Sequence, residues 1–589
     1  MLCVLGGAHP SAAQNVAPHV LNVQDVARYR EIFSAEREGH FARAKKLFTQ
    51  VDDKSLQGYV EAEHYLSPHV PHLTIGELVD WLKAYNDLPI ADRIYRLAVA
   101  HSTRKIRRHH RTIIVAVVTN IPAPSSAHSR GGGYEDLPPP EAPLSTDSAR
   151  AALLPISAAI RAGQPDQALS ILQGLQAAGT ATAGDIAHLS HHVAASYLAE
   201  SMDRKAFDLA SATPMADVPQ LEWDAGFAAY RLGRYADAAT QLERLAQTET
   251  MPSGLRSQAA FWAARAHMRM GDPLKVVTLL SFAAREEPSF YGLISERLLG
   301  IDSNSGFSDP VLTAQDFSAL MAIPSAHRAV ALWQIGGAET DIGSELNRAF
   351  GDEDPRYDPA MAALSRSLGV TNIELRASEK CAGRGIMLTG LFPVPQYRPE
   401  GGYRIDPSLL LAFARIESRF QAQATSPAGA RGIMQLMPGT AANIGGPQAV
   451  AQLYDPAYSL SLGQRYIEEL LTRLDGNLLE LGGAYNAGPL AVDRWLATKA
   501  GKDDPLLFVE SIPVAETRSY VKRLMEYHWM YRRIMGQEAA SLRQIAQGSW
   551  PLYKPAPTPT PRAPAAAPAA PENPPTANTP VSIINANAE

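Results

Sequence analysis

The sequence predicts an all-α protein in which a superhelix of helix pairs precedes a second α-rich domain. Apolar residues recur at spacings of three and four through most of the chain, which is typical of amphipathic helices. Several helix–turn–helix segments follow one another at intervals of about 30 to 45 residues, a spacing typical of helical repeats. Hydrophobic residues make up 46% of the chain, enough for sizeable buried cores.

The charge, the cysteine content and the apolar runs of the sequence exclude several classes of function. The net charge of the 589 residues is −6, so no overall positive charge favours nucleic acid as a partner. The two cysteines, Cys3 and Cys381, do not predict a disulfide or a cysteine metal cluster. No segment has the roughly 18 consecutive apolar residues of a membrane helix.

The N-terminal segment, residues 1–15, has a short apolar run and a Ser-Ala-Ala sequence before Gln14. This pattern is typical of a signal cleavage site, although the basic start is missing. We therefore expect a truncated signal peptide; a disordered N-terminus is the alternative. An N-terminal helical region is predicted over 16–121, where apolar stripes recur at helical periods.

A basic run, RKIRRHHR, lies at 104–111. We interpret it as the solvated end of a helix that leads into a linker. Docking to an anionic polymer or a membrane surface is the alternative, so membrane contact is expected to be peripheral at most. Residues 122–148 are rich in Pro, Gly and Ser and predict a linker or long loop.

Residues 149–380 predict an α-superhelical domain built from degenerate tetratricopeptide-like pairs. Each pair has a helix rich in small and aromatic residues, a turn with Gly or Met-Asp, and an amphipathic second helix. Such units bury their apolar faces only by stacking on their neighbours. Two uses compete for this region, namely a scaffold that binds other proteins and a frame that carries the following domain.

The domain predicted over 381–548 contains the most distinctive stretch of the chain. Asp406-Pro407 is a helix start signal, and Leu409, Phe413, Ile416 and Phe420 form one apolar stripe. Glu417 lies at the edge of that stripe. Apolar surroundings raise the pKa of a carboxyl, which suits a general acid near neutral pH. The alternative is an ordinary solvated glutamate.

A turn follows this helix. Pro427 disfavours helical backbone at Ser426, and the glycines at 429 and 432 allow sharp bends. Gln435 then lies among large apolar residues, where it needs partners or faces a ligand.

Four ordered motifs carry a resemblance: ESRF, SPAGARGIMQLMPGTA, GGAYNAGP and ESIPVAETRSYVKRL. They resemble the family 1 soluble lytic transglycosylases, which cleave peptidoglycan glycan strands on a goose-lysozyme-like fold. The resemblance implies a lysozyme-like catalytic domain and favours the carrying frame as the use of the superhelix. It also implies peptidoglycan as substrate, a periplasmic location and no metal or organic cofactor. Other envelope proteins are candidate partners.

The resemblance also implies roles for individual residues. Glu417 matches the catalytic acid and base, and Ser426 the serine beside the substrate N-acetyl group. Gly432 matches a close backbone approach in the substrate site. The other implied substrate-binding residues are Gln435, Met437, Tyr485, Asn486 and Glu516, with Asn486 able to act instead as a helix cap.

Glycoside hydrolysis normally needs two carboxylates. No second acidic residue lies near Glu417 in sequence, and the distant candidates are Asp455, Asp493, Glu510 and Glu516. A mechanism with one carboxylate is therefore expected. The resemblance implies cleavage between N-acetylmuramic acid and N-acetylglucosamine with a 1,6-anhydro product. A lysozyme-type hydrolase, in which water attacks, and a non-catalytic scaffold are the alternatives. The Pro/Ala-rich tail, 549–589, is predicted to be disordered.

Overall fold

The chain is built almost entirely of α-helices, which confirms the predicted fold class. The computed structural model describes residues 15–70, 72–108, 111–116, 143–214, 218–285, 288–301, 306–497 and 503–555. Nearly all of the predicted signal peptide, and most of the predicted linker and tail, lie outside these ranges. Among the described helices, none is both long and apolar enough to cross a membrane.

The described part of the N-terminal region contains five helices and two paired strands. The helices are α1 (Val23–Arg37), α2 (Phe41–Phe48), α3 (Gln57–Leu66), α4 (Ile75–Tyr85) and α5 (Ala91–Ser102). Strands β1 (Thr103–Arg108) and β2 (Arg111–Ala116) pair in antiparallel register. Our interpretation of the basic run as a helix end was wrong, because α5 ends before it begins. The β-branched residues of Arg111–Ala116 favour a strand.

Nine helices follow in the residues of this region that the structure describes. They are α6 (Asp147–Arg161), α7 (Pro165–Ala178), α8 (Ala183–Ala199), α9 (Asp203–Ala212), α10 (Gln220–Arg231), α11 (Tyr235–Gln247), α12 (Ser253–Met270), α13 (Pro273–Arg285) and α14 (Phe290–Leu299). Each packs on the next one in sequence, which confirms the predicted stacking of helix pairs.

The four predicted turns between paired helices share one geometry. Gly163, Gly233 and Gly271 have positive φ angles of 67°, 75° and 79°, and Ser201 takes the same left-handed conformation at 57°. The next amide then donates to the carbonyl five residues earlier, as in a Schellman motif. These bonds are Gln164 to Ala159 (2.9 Å), Met202 to Tyr197 (2.8 Å), Arg234 to Ala229 (2.8 Å) and Asp272 to His267 (3.1 Å).

A second set of helices packs against the N-terminal region. It comprises α15 (Ala314–Met321), α16 (Pro324–Ile335), α17 (Glu339–Asp352), α18 (Asp358–Leu368) and α19 (Thr371–Ala382), with 3₁₀ turns at Pro355–Tyr357 and Thr389–Leu391. Their apolar faces share one core with α1–α5. Gln334 Oε1 accepts from the amides of Val20 (2.8 Å) and Leu21 (2.9 Å), which attaches the segment before α1 to α16.

The remaining helices surround the candidate site. They are α20 (Pro407–Ser418), α21 (Pro438–Gly445), α22 (Ala449–Gln452), α23 (Pro456–Arg473), α24 (Leu478–Ala487), α25 (Pro489–Ala497), α26 (Pro505–Glu510), α27 (Ala515–Ile534) and α28 (Ala540–Ala546). Their core is continuous with that of α6–α14. The described chain continues to Pro555, with Tyr553 Oη bound to the amide of Asp406 (2.9 Å). The domain boundaries themselves stay predictions.

Candidate active site

Helix α20 places Glu417 as the sequence predicts. Asp406 caps the helix by accepting from the Ser408 amide (3.0 Å), and Pro407 occupies its first turn. The helix ends at Ser418, so Phe420 extends the apolar stripe from outside it. Phe420 is buried with a φ of 63°. Helix α20 packs along α27, which brings the end of the chain to the site.

The Glu417 carboxyl is largely withdrawn from solvent. Burial raises its pKa to about 7; the hydrogen bond from Tyr520 and the positive charge of Arg523 lower this pKa, and the charge of Glu516 raises it. Tyr520 Oη donates to Glu417 Oε1 at 2.5 Å. The predicted rise in the pKa of Glu417 is thus confirmed. At this pKa the carboxyl can give up a proton and take it back near neutral pH.

Two tyrosines lie beside Glu417, and they do different things. Tyr485 Oη donates to the Met434 carbonyl (2.8 Å), and its ring packs on Phe413 with centroids 4.5 Å apart. Burial, and then the charge of Glu417, raise the pKa of both Tyr485 and Tyr520 well above the usual value. Both hydroxyls therefore stay protonated, and Tyr520 is the one that orients Glu417.

Sequence reasoning did not assign Tyr520 to the site. The signal was its spacing from Glu516, four residues earlier in the same motif, which places both side chains on one face of α27. Glu516 is exposed in the first turn of that helix. The structure thus brings Glu417, Tyr520 and Glu516 together.

The other distant carboxylates have structural partners. Asp455 caps α23 through the Tyr458 amide (2.8 Å), and Asp493 pairs with Arg473 (2.7 Å). Glu510 is buried and accepts a hydrogen bond from Tyr291. Of the four candidates, only Glu516 contributes to the pKa of Glu417. This arrangement fits the expected chemistry with one carboxylate.

The turn after α20 folds back on itself. The Ser426 amide donates to the Ala430 carbonyl, and Ser426 Oγ accepts from the Ala430 amide, both at 3.0 Å. Gly432 has a φ of 72°, and a Cβ there would lie 1.8 Å from the Leu453 carbonyl oxygen. The close approach predicted at Gly432 is therefore to the chain itself, which only glycine allows.

Gln435 and Met437 lie next in this segment. Gln435 has a φ of 46°, and its Nε2 donates to the carbonyls of Gly432 (2.8 Å) and Ala424 (3.2 Å). The partners that a Gln among apolar residues needs are thus backbone groups of the turn. The Met437 side chain is 44% exposed, at the start of α21.

Asn486 ties two helices of the site together. Its Oδ1 accepts from Thr517 Oγ1 (2.6 Å), which joins the end of α24 to the first turn of α27. The neighbouring residues on these helices are Tyr485 and Glu516. Asn486 therefore contributes to the relative position of the two predicted substrate-binding residues.

Part of the sequence is similar to that of known proteins. The Transglycosylase SLT domain family matches residues 397–508. Soluble lytic murein transglycosylase from Escherichia coli (strain K12) is 40% identical over 147 residues, 24% of this chain and 23% of that protein. A putative soluble lytic murein transglycosylase from Haemophilus influenzae is 36% identical over 139 residues, 23% of each chain. The chain thus spans about a quarter of the length of these curated relatives.

The fold as a whole also has a solved counterpart. An inactive mutant of the lytic transglycosylase Slt from Pseudomonas aeruginosa superposes with a TM-score of 0.51 over 87% of this chain and 74% of that one. The sequence identity is 18%, so this likeness concerns the fold alone. Glu417 and its turn lie within residues 397–508, the segment that matches the Transglycosylase SLT domain family.

Proposed function

We propose that the protein is a lytic transglycosylase of peptidoglycan. The observation that carries the proposal is Glu417, a buried carboxyl with a pKa of about 7 that receives a hydrogen bond from Tyr520 inside an SLT domain. The Escherichia coli relative named above is a soluble lytic murein transglycosylase. The substrate class is therefore the glycan strand of peptidoglycan, and the periplasm is the compartment in which the protein would meet it.

The reaction begins with proton transfer from Glu417 to the glycosidic oxygen between N-acetylmuramic acid and N-acetylglucosamine. The bond from C1 to that oxygen breaks, and positive charge develops at C1 of the muramoyl residue. The Glu417 carboxylate then takes the proton of the C6 hydroxyl of the same sugar as its oxygen bonds to C1. A 1,6-anhydromuramoyl end results, no water is consumed, and Glu417 regains its proton.

The remaining site residues bind the strand. Ser426 lies near the N-acetyl group, and Gln435 and Met437 line the sugar subsites. Tyr485 and Glu516 hold the reacting region from α24 and α27. Gly432 and Asn486 shape this surface from beneath, through the Leu453 carbonyl and Thr517 respectively.

Mass spectrometry of peptidoglycan digested by the purified protein tests the proposal. We expect fragments with anhydromuramoyl ends, which are lighter by one water than the corresponding reducing fragments. Fragments with reducing muramic ends would instead identify a lysozyme-type hydrolase. If the folded protein releases no fragments, the non-catalytic scaffold is the interpretation that is left.

A further inference from the structure

A buried carboxylate outside the proposed site links the helix pairs to α27. Glu510, the last residue of α26, has 1% of its side chain exposed. Its Oε1 accepts from Tyr291 Oη (2.7 Å), on α14, and from Lys522 Nζ (3.0 Å), on α27. Because a buried charge is costly unless it is paired and hydrogen-bonded, these contacts strongly favour one arrangement of the three helices.

Lys522 extends the link to a fourth helix. Its Nζ also donates to Gln258 Oε1 (2.8 Å), on α12. One turn earlier on α27, Arg518 donates to the Ile512 carbonyl (2.8 Å) and lies 3.9 Å from Glu510 Oε2. The side of α27 that carries residues 518 and 522 is therefore attached both to the helix pairs and to the α26–α27 connection.

The opposite side of α27 faces Glu417. At 100° per residue, Glu516, Tyr520 and Arg523 fall within about 60° of one another around the helix axis. Arg518 and Lys522 each fall about 160° from Tyr520 around the same axis. A rotation of α27 about its axis would break the contacts of Glu510 and also move Tyr520 away from Glu417.

We infer that Glu510 is a positioning residue for the proposed reaction, and that it acts by fixing the rotation of α27. Through Tyr291 and Gln258, the helix pairs then support the geometry of the site. The inference rests on the proposed function. It assigns a role to Tyr291 and to Glu510, the first glutamate of the ESIPVAETRSYVKRL motif. Neither residue is part of the proposed catalytic machinery.

Glu510→Gln tests this role in the full chain. It keeps the shape of the side chain and removes its charge, so the attraction for Lys522 weakens. We expect kcat for release of anhydromuramoyl fragments to fall about tenfold or more, as for a small misplacement of a catalytic group. We also expect α27 to rotate and Tyr520 to move away, so that Glu417 loses the hydrogen bond that lowers its pKa. The alkaline limb of the pH–rate profile should then move to higher pH by about half a unit.

Two further variants make the test decisive. Tyr291→Phe removes one hydrogen bond of Glu510 without changing α27, and we expect a smaller shift in the same direction. If Glu510→Gln does not fold, the result with Tyr291→Phe decides. Glu296→Gln is the matched control, because Glu296 pairs with Arg533 (2.6 Å) between the same helices, α14 and α27, but thirteen residues beyond Tyr520. We expect Glu296→Gln to keep the kcat of the unmodified protein and the position of the alkaline limb of its pH–rate profile.

The outcomes separate the two proposals. If Glu510→Gln and Tyr291→Phe keep the kcat and pH limb of the unmodified protein, the positioning role is overturned while the proposed function stands. Equal losses of kcat in the Glu510, Tyr291 and Glu296 variants would also overturn the positioning role. Any weakening of the contact between α14 and α27 would then be enough to lower kcat. Absence of anhydro products from the unmodified protein would overturn the proposed function itself.

Discussion

In each of the two large cores, a glutamate whose carboxyl is withdrawn from solvent receives a hydrogen bond from a tyrosine. In the core of α6–α14 and α20–α28, Tyr520 donates to Glu417 (2.5 Å). In the core of α1–α5 and α15–α19, Tyr59 donates to Glu345 (2.9 Å). Burial is the largest influence on the pKa of both carboxyls, and in both the pKa is raised.

The two glutamates differ in their charged neighbours. Both oxygens of Glu345 accept from Arg328, at 2.7 Å and 2.9 Å, and the side chain is fully buried. The direct partner of Glu417 is neutral, and its charged neighbours, Arg523 and Glu516, act on its pKa in opposite directions. Protonation of Glu345 breaks an ion pair, whereas protonation of Glu417 does not. A raised pKa therefore indicates an acid only where no cation holds the carboxylate.

Replacement of each glutamate by Gln is the strongest test of this difference. Glu417→Gln keeps the shape of the side chain but cannot transfer a proton, so we expect a loss of roughly 10² or more in the rate of fragment release. Glu345→Gln, the matched control, should keep the rate per folded molecule and change stability only. Full lytic activity in Glu417→Gln would refute the assignment of the acid and base.

Local sequence predicted the position of Glu417 and the direction of its pKa shift, but not the tyrosine partner of either glutamate. The Asp406-Pro407 start and the apolar stripe place Glu417 at an apolar border, which is sufficient to predict the direction of its pKa shift. Its partner Tyr520 lies 103 residues away, and Tyr59 lies 286 residues from Glu345. Such pairs depend on which helices pack together, and helical periodicity does not contain that information.

The sequence predicted a turn after α20 but not its backbone conformation. Arg419, Phe420 and Gln435 have positive φ angles of 53°, 63° and 46°, although none of them is glycine. Residue preferences predict the left-handed region mainly for Gly and Asn. Tertiary packing maintains these conformations close to Glu417, where strained backbone is characteristic of functional sites.

Removal of the cation beside Glu345 should make the stability of the protein more sensitive to pH. Arg328→Met leaves Glu345 buried without its ion pair, and we expect the free energy of unfolding to fall by about 3 kcal/mol or more at pH 8. A carboxyl whose pKa is raised in the folded state loses stability as pH rises from its unfolded value through its folded value. Since Arg328 lowers the pKa of Glu345, the variant should raise this pKa further.

The deficit of the Arg328 variant should therefore shrink toward pH 5, where Glu345 gains a proton. Urea unfolding of the full chain at both pH values measures this change. Asp87→Asn is the control, because Asp87 also pairs with Arg328 (3.0 Å) but is partly exposed. A deficit of equal size at pH 5 and pH 8 would show that Glu345 is not the group responsible.

Removal of the tyrosine hydroxyl from the Tyr520–Glu417 and Tyr59–Glu345 pairs tests the difference between the two glutamates with the smallest expected effects. In Tyr520→Phe the Glu417 carboxylate loses a hydrogen bond that lowers its pKa, so the pKa should rise above 7. Because the acid must be protonated to act, the alkaline limb of the pH–rate profile should move up by about 0.5 to 1 unit. In Tyr59→Phe the limb should stay in place and the free energy of unfolding should fall by about 1 kcal/mol.

The direction of the shift in Tyr520→Phe distinguishes orientation from mere packing. If Tyr520 only filled space, the ring of Phe would replace it, and the profile would keep its midpoint while its height changed. A downward shift would mean that the hydroxyl favours the protonated carboxyl, for example by accepting its proton in a hydrogen bond. An upward shift means that the hydroxyl stabilises the carboxylate, the form that Glu417 must adopt before it takes the proton from the attacking hydroxyl.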